Sequence, residues 1–318
     1  MLEEMQRMVE NINQLKGNEV SILLDNYNSG SLKRHYFIEG GAANPSFYVQ
    51  TDSGEFVLTF FNSKTFEEVK RLVDLLRHLE DNSFPTSRVI LSNDGRYILN
   101  YNGRPAILKK YIKGAVIQDL PGAHLWQLGK QIAFLHGIAP LQSMVDWHDS
   151  GLETFDEVFD YDHIFVSWLK NKKKFLIANI SNALPRGLIH GDIFYDNVII
   201  YRDLVKAIID FETGCNYFFT FDLGMCMVGT CMEDGQLMVN KAKSLLEGYH
   251  SIRALSTLEK DSLKLFVEYG AVATVFRRFR PHHILLKNEN LKNRCLEMKR
   301  IADNIHAMPN EDFLKLLF

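Results

Sequence analysis

Polar and apolar positions alternate in three short runs near the start of the chain, at residues 35–38, 46–49 and 56–61, the last two separated by the turn-forming Asp52-Ser53-Gly54. A period of two predicts strands, here a β-meander with a glycine-containing bend. The period then lengthens. Phe66, Val69, Leu72, Val73, Leu76 and Leu79 recur at helical spacing with charged residues between them, which predicts a helix over 65–79 that stops within 82–85. Two further strands are predicted at 96–100 and 104–111 around the hairpin signal Asn102-Gly103, and Lys113-Gly114 breaks the pattern.

Beyond residue 112 the spacing is mostly helical, as in Trp126, Leu128, Gly129, Ile132, Ala133 and Leu135, with short strand-like apolar runs at 188–189 and 198–200. The pattern predicts an α+β protein: a small sheet-rich lobe over 1–112, then a larger, mostly helical lobe over 113–318. A length of 318 residues suffices for two lobes sharing a cleft, a natural place for a ligand.

Composition narrows the function classes. The net charge of -3, from 36 basic and 39 acidic side chains, gives no basic surplus for nucleic acid. No apolar run reaches the roughly 18–20 residues of a membrane-spanning helix, and residues 1–14 carry three glutamates where a signal peptide would be basic and then apolar. Cys215, Cys226, Cys231 and Cys295 have neither paired metal-ligand spacing nor the even ladder of a disulfide framework. They read as free thiols, and the expectation is a cytoplasmic protein with no nucleic-acid or membrane partner, monomeric or homodimeric. The Met- and Cys-rich stretch 225–232 reads as core helix rather than a soft-metal site.

The informative stretch is 188–212. Leu188-Ile189-His190-Gly191-Asp192 is followed by Asp196-Asn197-Val198-Ile199-Ile200 and then by Ala207-Ile208-Ile209-Asp210-Phe211-Glu212. Phosphoryl transfer needs a carboxylate to orient or deprotonate the attacking hydroxyl, and an amide oxygen with a second carboxylate to hold Mg²⁺ against nucleotide phosphates. Asp192, Asn197 and Asp210 supply that set. The first two fall on one tight loop, and Asp210 falls at the end of a strand returning from the Arg202-Asp203 turn, so a loop and a hairpin converge the three.

This segment resembles the catalytic and metal-binding segments of the aminoglycoside phosphotransferase and choline kinase superfamily. Within it, residues 190–198 are most similar to the homoserine kinase family, and the similarity continues upstream through Gly41-Ala42-Ala43-Asn44-Pro45, residues 56–61 and Leu128-Gly129 to Leu135-His136. The resemblance implies a protein-kinase-like two-lobed fold and ATP with Mg²⁺ as cofactors. The acceptor it implies is a small molecule carrying hydroxyl and amino groups. It places Asp192 as the catalytic carboxylate and Asn197 and Asp210 at the metal. Gly40, Gly41 and Asn44 fall at the phosphates, Tyr111 and Ile112 at the adenine, and His190 and Asp222 brace the catalytic loop.

Three departures bear on substrate and mechanism. Thr59 stands where protein kinases carry a phosphate-pairing lysine, a feature the homoserine kinases share, and Glu67 or Glu68 then lacks its usual partner. Glu212 resembles the Ile-Asp-Phe-Glu of choline and ethanolamine kinases rather than the aromatic usual in homoserine kinases. Arg277, Arg278 and Arg280 cluster after Tyr269, and Arg278 is the candidate to clamp an acceptor carboxylate. The expectation is a kinase of a homoserine-like acceptor, with choline, ethanolamine or an aminoglycoside as alternatives and a non-catalytic nucleotide-binding module as the reading from another class. A protein kinase is disfavoured, because the His-x-Asp lacks its arginine and no Asp-Phe-Gly to Ala-Pro-Glu segment is present.

Overall fold

The structure, a computed structural model, describes residues 15–38, 44–161, 164–279 and 289–318. It divides between Lys113 and Gly114 into two compact units. In the first, α1 (Gly17–Leu24) precedes β1 (Leu32–Phe37), β2 (Ser46–Thr51) and β3 (Glu55–Phe60), then α2 (Phe66–Asp81), β4 (Leu99–Tyr101) and β5 (Arg104–Lys110). The strands form one antiparallel sheet in the order β1-β2-β3-β5-β4. Alternation puts Phe47, Val49, Phe56, Leu58 and Phe60 on one face, where they bury against Val20, Leu23 and Leu24 of α1.

Helix α2 starts where the sequence predicts, because Thr65 Oγ1 accepts the Glu68 N–H and the Glu68 carboxylate accepts the Thr65 N–H, a reciprocal cap. The strand predicted at 96–100 shrinks to Leu99–Tyr101. Ser92 exchanges bonds with the Arg96 backbone, and Arg96 pairs with Asp94, so side chains lock 92–96 into a turn.

The second unit contains α3 (Gly122–His136), α4 (Ile164–Asn179), β6 (Arg186–Ile189), β7 (Val198–Tyr201), β8 (Leu204–Ile208), β9 (Cys215–Phe218), α5 (Phe219–Thr230), the short β10 (Met232–Glu233) and β11 (Gln236–Leu237), α6 (Val239–His250), α7 (Thr257–Phe279), α8 (Glu289–Ala307) and α9 (Asn310–Leu317). Helices α3 and α6 cross at backbone contact: a Cβ at Gly129 would lie 2.0 Å from the Leu245 carbonyl oxygen, and one at Gly248 would lie 1.9 Å from that of Trp126. Helix α5 is buried nearly all round, Met225, Cys226 and Met227 included, as a central core helix must be. All four cysteines are free and buried. The antiparallel-sheet unit and the mostly helical unit make up the two-lobed α+β architecture the sequence predicts. Among the described residues no helix is long and apolar enough to cross a membrane.

Candidate active site

The loop between β6 and β7 carries the three groups singled out in the sequence, and backbone bonds tie them together. Strand β6 pairs with β9, and β7 pairs with β8, so the loop 190–197 and the turn after β8 emerge side by side. Ile209 is the knot. Its N–H donates to the Asn197 carbonyl at 2.9 Å, and its own carbonyl accepts from His190 Nε2 at 2.8 Å. The other ring nitrogen of His190, Nδ1, accepts the Asp192 N–H at 3.1 Å, so this imidazole is the Nε2–H tautomer. Asn197 Nδ2 donates to the Asp192 carbonyl at 2.9 Å, which turns the amide oxygen the other way.

Asp210 follows directly, in a left-handed conformation with φ 68° and ψ 60°, a geometry that an L-residue other than glycine, asparagine or aspartate seldom adopts. It opens a short 3₁₀ turn holding the buried Phe211 and the half-buried Glu212. Thr213 Oγ1, at the end of that turn, donates to the His190 carbonyl at 2.8 Å.

From below, the fully buried Asp222 of α5 accepts the N–H of His190 at 2.9 Å and that of Gly191 at 2.7 Å. Gly191 has φ 83°, and a Cβ there would lie 2.4 Å from His148 Nε2, so no side chain fits. His148 is itself buried. Its Nδ1 accepts the Ser150 N–H at 3.1 Å, and its Nε2 has no partner among the described residues. Burial pushes this imidazole below its ordinary range.

Asp192 is three-quarters or more shielded, and its two oxygens differ. Oδ2 is ion-paired with Arg277 Nη1 of α7, while Oδ1 is buried without a partner among the described residues. Of the three clustered arginines it is Arg277, not the singled-out Arg278, that makes this ion pair. Gly270 and Thr274 face α5, with Thr274 Oγ1 3.5 Å from Met225 Sδ, and Arg277 continues that face one turn further on. Arg278, the sequence candidate, lies around the helix with its guanidinium 5.9 Å from the Phe194 ring.

The remaining candidates lie in the sheet unit. Gly40 and Gly41 fall outside the described residues. Asn44 is buried, and its carbonyl accepts from Ser46 Oγ at 3.3 Å. The Tyr111 N–H is committed to the Glu55 carbonyl at 3.0 Å, whereas the Ile112 amide makes no backbone bond among the described residues. Of the two amides expected at an adenine, Ile112 therefore carries the usable donor. Thr59 is buried and its hydroxyl bonds Ser46 Oγ at 3.0 Å, while Glu68 is engaged in the cap of α2. Thr59 at the lysine position and Glu68, one of the two candidate glutamates, thus have other work. Among the described residues no three His, Cys, Asp or Glu side chains are grouped to hold a metal unaided.

Homoserine kinase from Bartonella tribocorum is 29% identical over 281 residues, covering 82% of this chain and 85% of that protein. Among solved structures, an amicoumacin kinase in complex with AMP-PNP and Ca²⁺ superposes with a TM-score of 0.74 over 96% of this chain and 99% of its own, at 13% identity. A microcompartment-associated aminopropanol kinase gives 0.73 over 95% and 100%, at 16% identity. These two likenesses establish the fold. The profile of the phosphotransferase enzyme family, APH, matches residues 36–255, more than half of the chain and the whole of the loop-and-hairpin site, and the protein therefore belongs to that family as an ATP-dependent phosphotransferase.

Proposed function

We propose that the protein transfers the γ-phosphoryl group of ATP to the side-chain hydroxyl of a small amino acid, homoserine or a close analogue. The observation that carries this is the buried, unpartnered Oδ1 of Asp192, on a loop fastened through Ile209 to Asn197 and Asp210. Oδ1 accepts the hydroxyl proton as the acceptor oxygen bonds to phosphorus, and the bond from phosphorus to the β–γ bridging oxygen breaks to release ADP. Positioning supplies most of the catalysis, so the bracing of the loop by His190 and Asp222 is part of the mechanism.

The donor set suits a hard divalent cation such as Mg²⁺. Asn197 is turned by its bond to the Asp192 carbonyl so that its amide oxygen, not its NH₂, is left over, and Asp210 adds a carboxylate oxygen. Asn197 and Asp210 would hold such an ion, which would supply charge neutralisation at the phosphates. The first unit, through Asn44 and Ile112 and with Gly40 and Gly41 at the phosphates, takes the nucleotide in this reading. The second unit takes the acceptor, with Arg278 and Glu212 among the residues around it.

A second reading rests on Glu212, which follows Asp210-Phe211 as in choline and ethanolamine kinases and favours a cationic amino alcohol as acceptor. Mg²⁺-dependent ADP release across homoserine, hydroxylysine, choline, ethanolamine and aminoglycosides separates the two. Homoserine turnover abolished by Asp192→Asn supports the first reading, and turnover of choline or ethanolamine alone supports the second. ATP binding without turnover of any acceptor would sink both.

A further inference from the structure

Helix α7 brings two consecutive arginines to the catalytic loop, and only one of them pairs with the carboxylate assigned there as the base. Arg277 Nη1 lies on Asp192 Oδ2, and its guanidinium stands 5.7 Å from the Phe194 ring, in a site where the two paired side chains are 32% and 17% exposed. Burial works against the guanidinium's charge, yet Asp192, and behind it Asp149 and Asp196, hold it above its usual range. A permanently charged fork therefore lies in contact with the carboxylate that receives the acceptor proton, in the electrostatic field of Asp149 and Asp196.

We propose that Arg277 selects the acceptor: parked on Asp192 in the free enzyme, its guanidinium passes to a carboxylate of the incoming acceptor, so that hydroxy-amino acids are phosphorylated in preference to amino alcohols. This rests on the reading of Asp192 as the base. Exchanging one carboxylate for another conserves the ion pair, and the planar guanidinium matches a carboxylate bidentately. An acceptor without a carboxylate offers no exchange. It must either leave Arg277 on the base or strand a half-buried charge, and a site built around such a group rejects analogues lacking its partner. Asp149, which also acts electrostatically on Arg277, adds negative charge to the field an acceptor's ammonium group would meet. The arrangement is complementary to a zwitterion.

The test compares homoserine with 3-amino-1-propanol, which keeps the hydroxyl and amino group and lacks the carboxylate. Steady-state kinetics and calorimetric binding would be measured on the full chain and on Arg277→Gln, Arg277→Lys and Arg278→Gln, with melting curves to verify folding. Wild type is expected to prefer homoserine by about 100-fold or more in kcat/KM. Arg277→Gln is expected to collapse that ratio to within about 10-fold through a raised homoserine KM, with turnover of the amino alcohol kept or increased, and Arg277→Lys to fall between. Equal loss of kcat on both acceptors, with KM unchanged, would overturn the proposal and make Arg277 a positioning residue for Asp192. Loss of the preference in Arg278→Gln alone, or wild-type binding of homoserine no tighter than of 3-amino-1-propanol, would also overturn it. The binding arm needs no turnover and survives a poorly folding glutamine variant through wild type and Arg277→Lys. If homoserine is preferred through Arg277 while Asp192→Asn turns over normally, carboxylate selection stands and the assignment of the base fails.

Discussion

His136 of α3 and Asp222 of α5 meet at 3.2 Å with both side chains fully buried. The contact is one link in a chain running in a single direction: Arg253 Nη1 donates to Tyr249 Oη at 3.1 Å, Tyr249 donates to His136 Nδ1 at 2.8 Å, and His136 Nε2 donates to Asp222 Oδ2. Asp222 spends its remaining capacity on the N–H groups of His190 and Gly191. An aspartate that accepts three bonds has no isosteric substitute, because an amide would turn a donor toward donors.

Asp222→Asn is therefore expected to cost on the order of 3 kcal/mol of stability and to lower kcat as well, since the loop carrying Asp192 hangs on the same carboxylate. Urea unfolding and kcat measured on one preparation check this. A variant that loses rate at full stability, or stability at full rate, would separate two properties that the geometry joins.

The same chain sets an acid limit. Burial disfavours charge on His136 more strongly than Asp222 favours it, so its pKa lies below the ordinary value, and His148 is displaced the same way by burial. Between the folded and unfolded pKa values the unfolded chain binds more protons, so this stability is fully present above about pH 6.5 and falls as pH drops through that value. Asp222 adds nothing in this window. Burial raises its carboxyl, the hydrogen bonds it accepts from His136 and from the His190 N–H outweigh that and lower it, and its contribution fades only below the ordinary aspartate pKa. Urea midpoints are expected to fall from pH 7 to pH 5, with a shallower fall in His136→Gln. A flat wild-type profile would contradict the assignment of neutral buried imidazoles.

Asp210 separates charge from conformation. Asn tolerates the left-handed φ of 68°, so Asp210→Asn is expected to keep stability within about 0.5 kcal/mol while lowering kcat on the order of 1,000-fold through loss of the carboxylate proposed to hold the metal. Asp210→Ala loses the same activity and an additional ~1 kcal/mol from backbone strain. Parallel unfolding and kinetic measurements on the pair tell the two contributions apart.

Much of this site was legible because its parts are local in sequence. Asp192, Asn197 and Asp210 lie within 19 residues on one loop and the hairpin after it, and the bonds through Ile209 that tie loop to hairpin are made within that stretch. Most of the strands of the first unit and α2 announced themselves through period, whereas the 96–100 run shrank to Leu99–Tyr101. Arg277 and His148 did not, since what matters is which of two adjacent arginines faces the loop, and whose ring fills the space beside Gly191. Both are decided by α7 packing on α5 and by a 43-residue separation along the chain, quantities that no local pattern encodes. Arg277 and Arg278 are neighbours roughly 100° apart on a helix, and spacing alone does not say which of them meets Asp192.

Among the described residues the helical unit also holds a buried charge pair away from the catalytic loop, and its energetics can be predicted without reference to chemistry. Lys172 of α4 and Glu268 of α7 pair at 2.8 Å with side chains 9% and 0% exposed, and His306 Nδ1 of α8 lies 2.9 Å from the same carboxylate. Removing one partner strands the other in a medium that solvates it poorly, so Lys172→Met is expected to cost about 3–5 kcal/mol. Replacing both, as Lys172→Met with Glu268→Leu, removes the stranded charge together with its partner, and the double variant is expected to be more stable than the single one. His306 is half-exposed and can turn to water. A urea double-mutant cycle measures the coupling. A single Lys172→Met variant within about 0.5 kcal/mol of wild type would mean that Glu268 reaches water or takes up a proton.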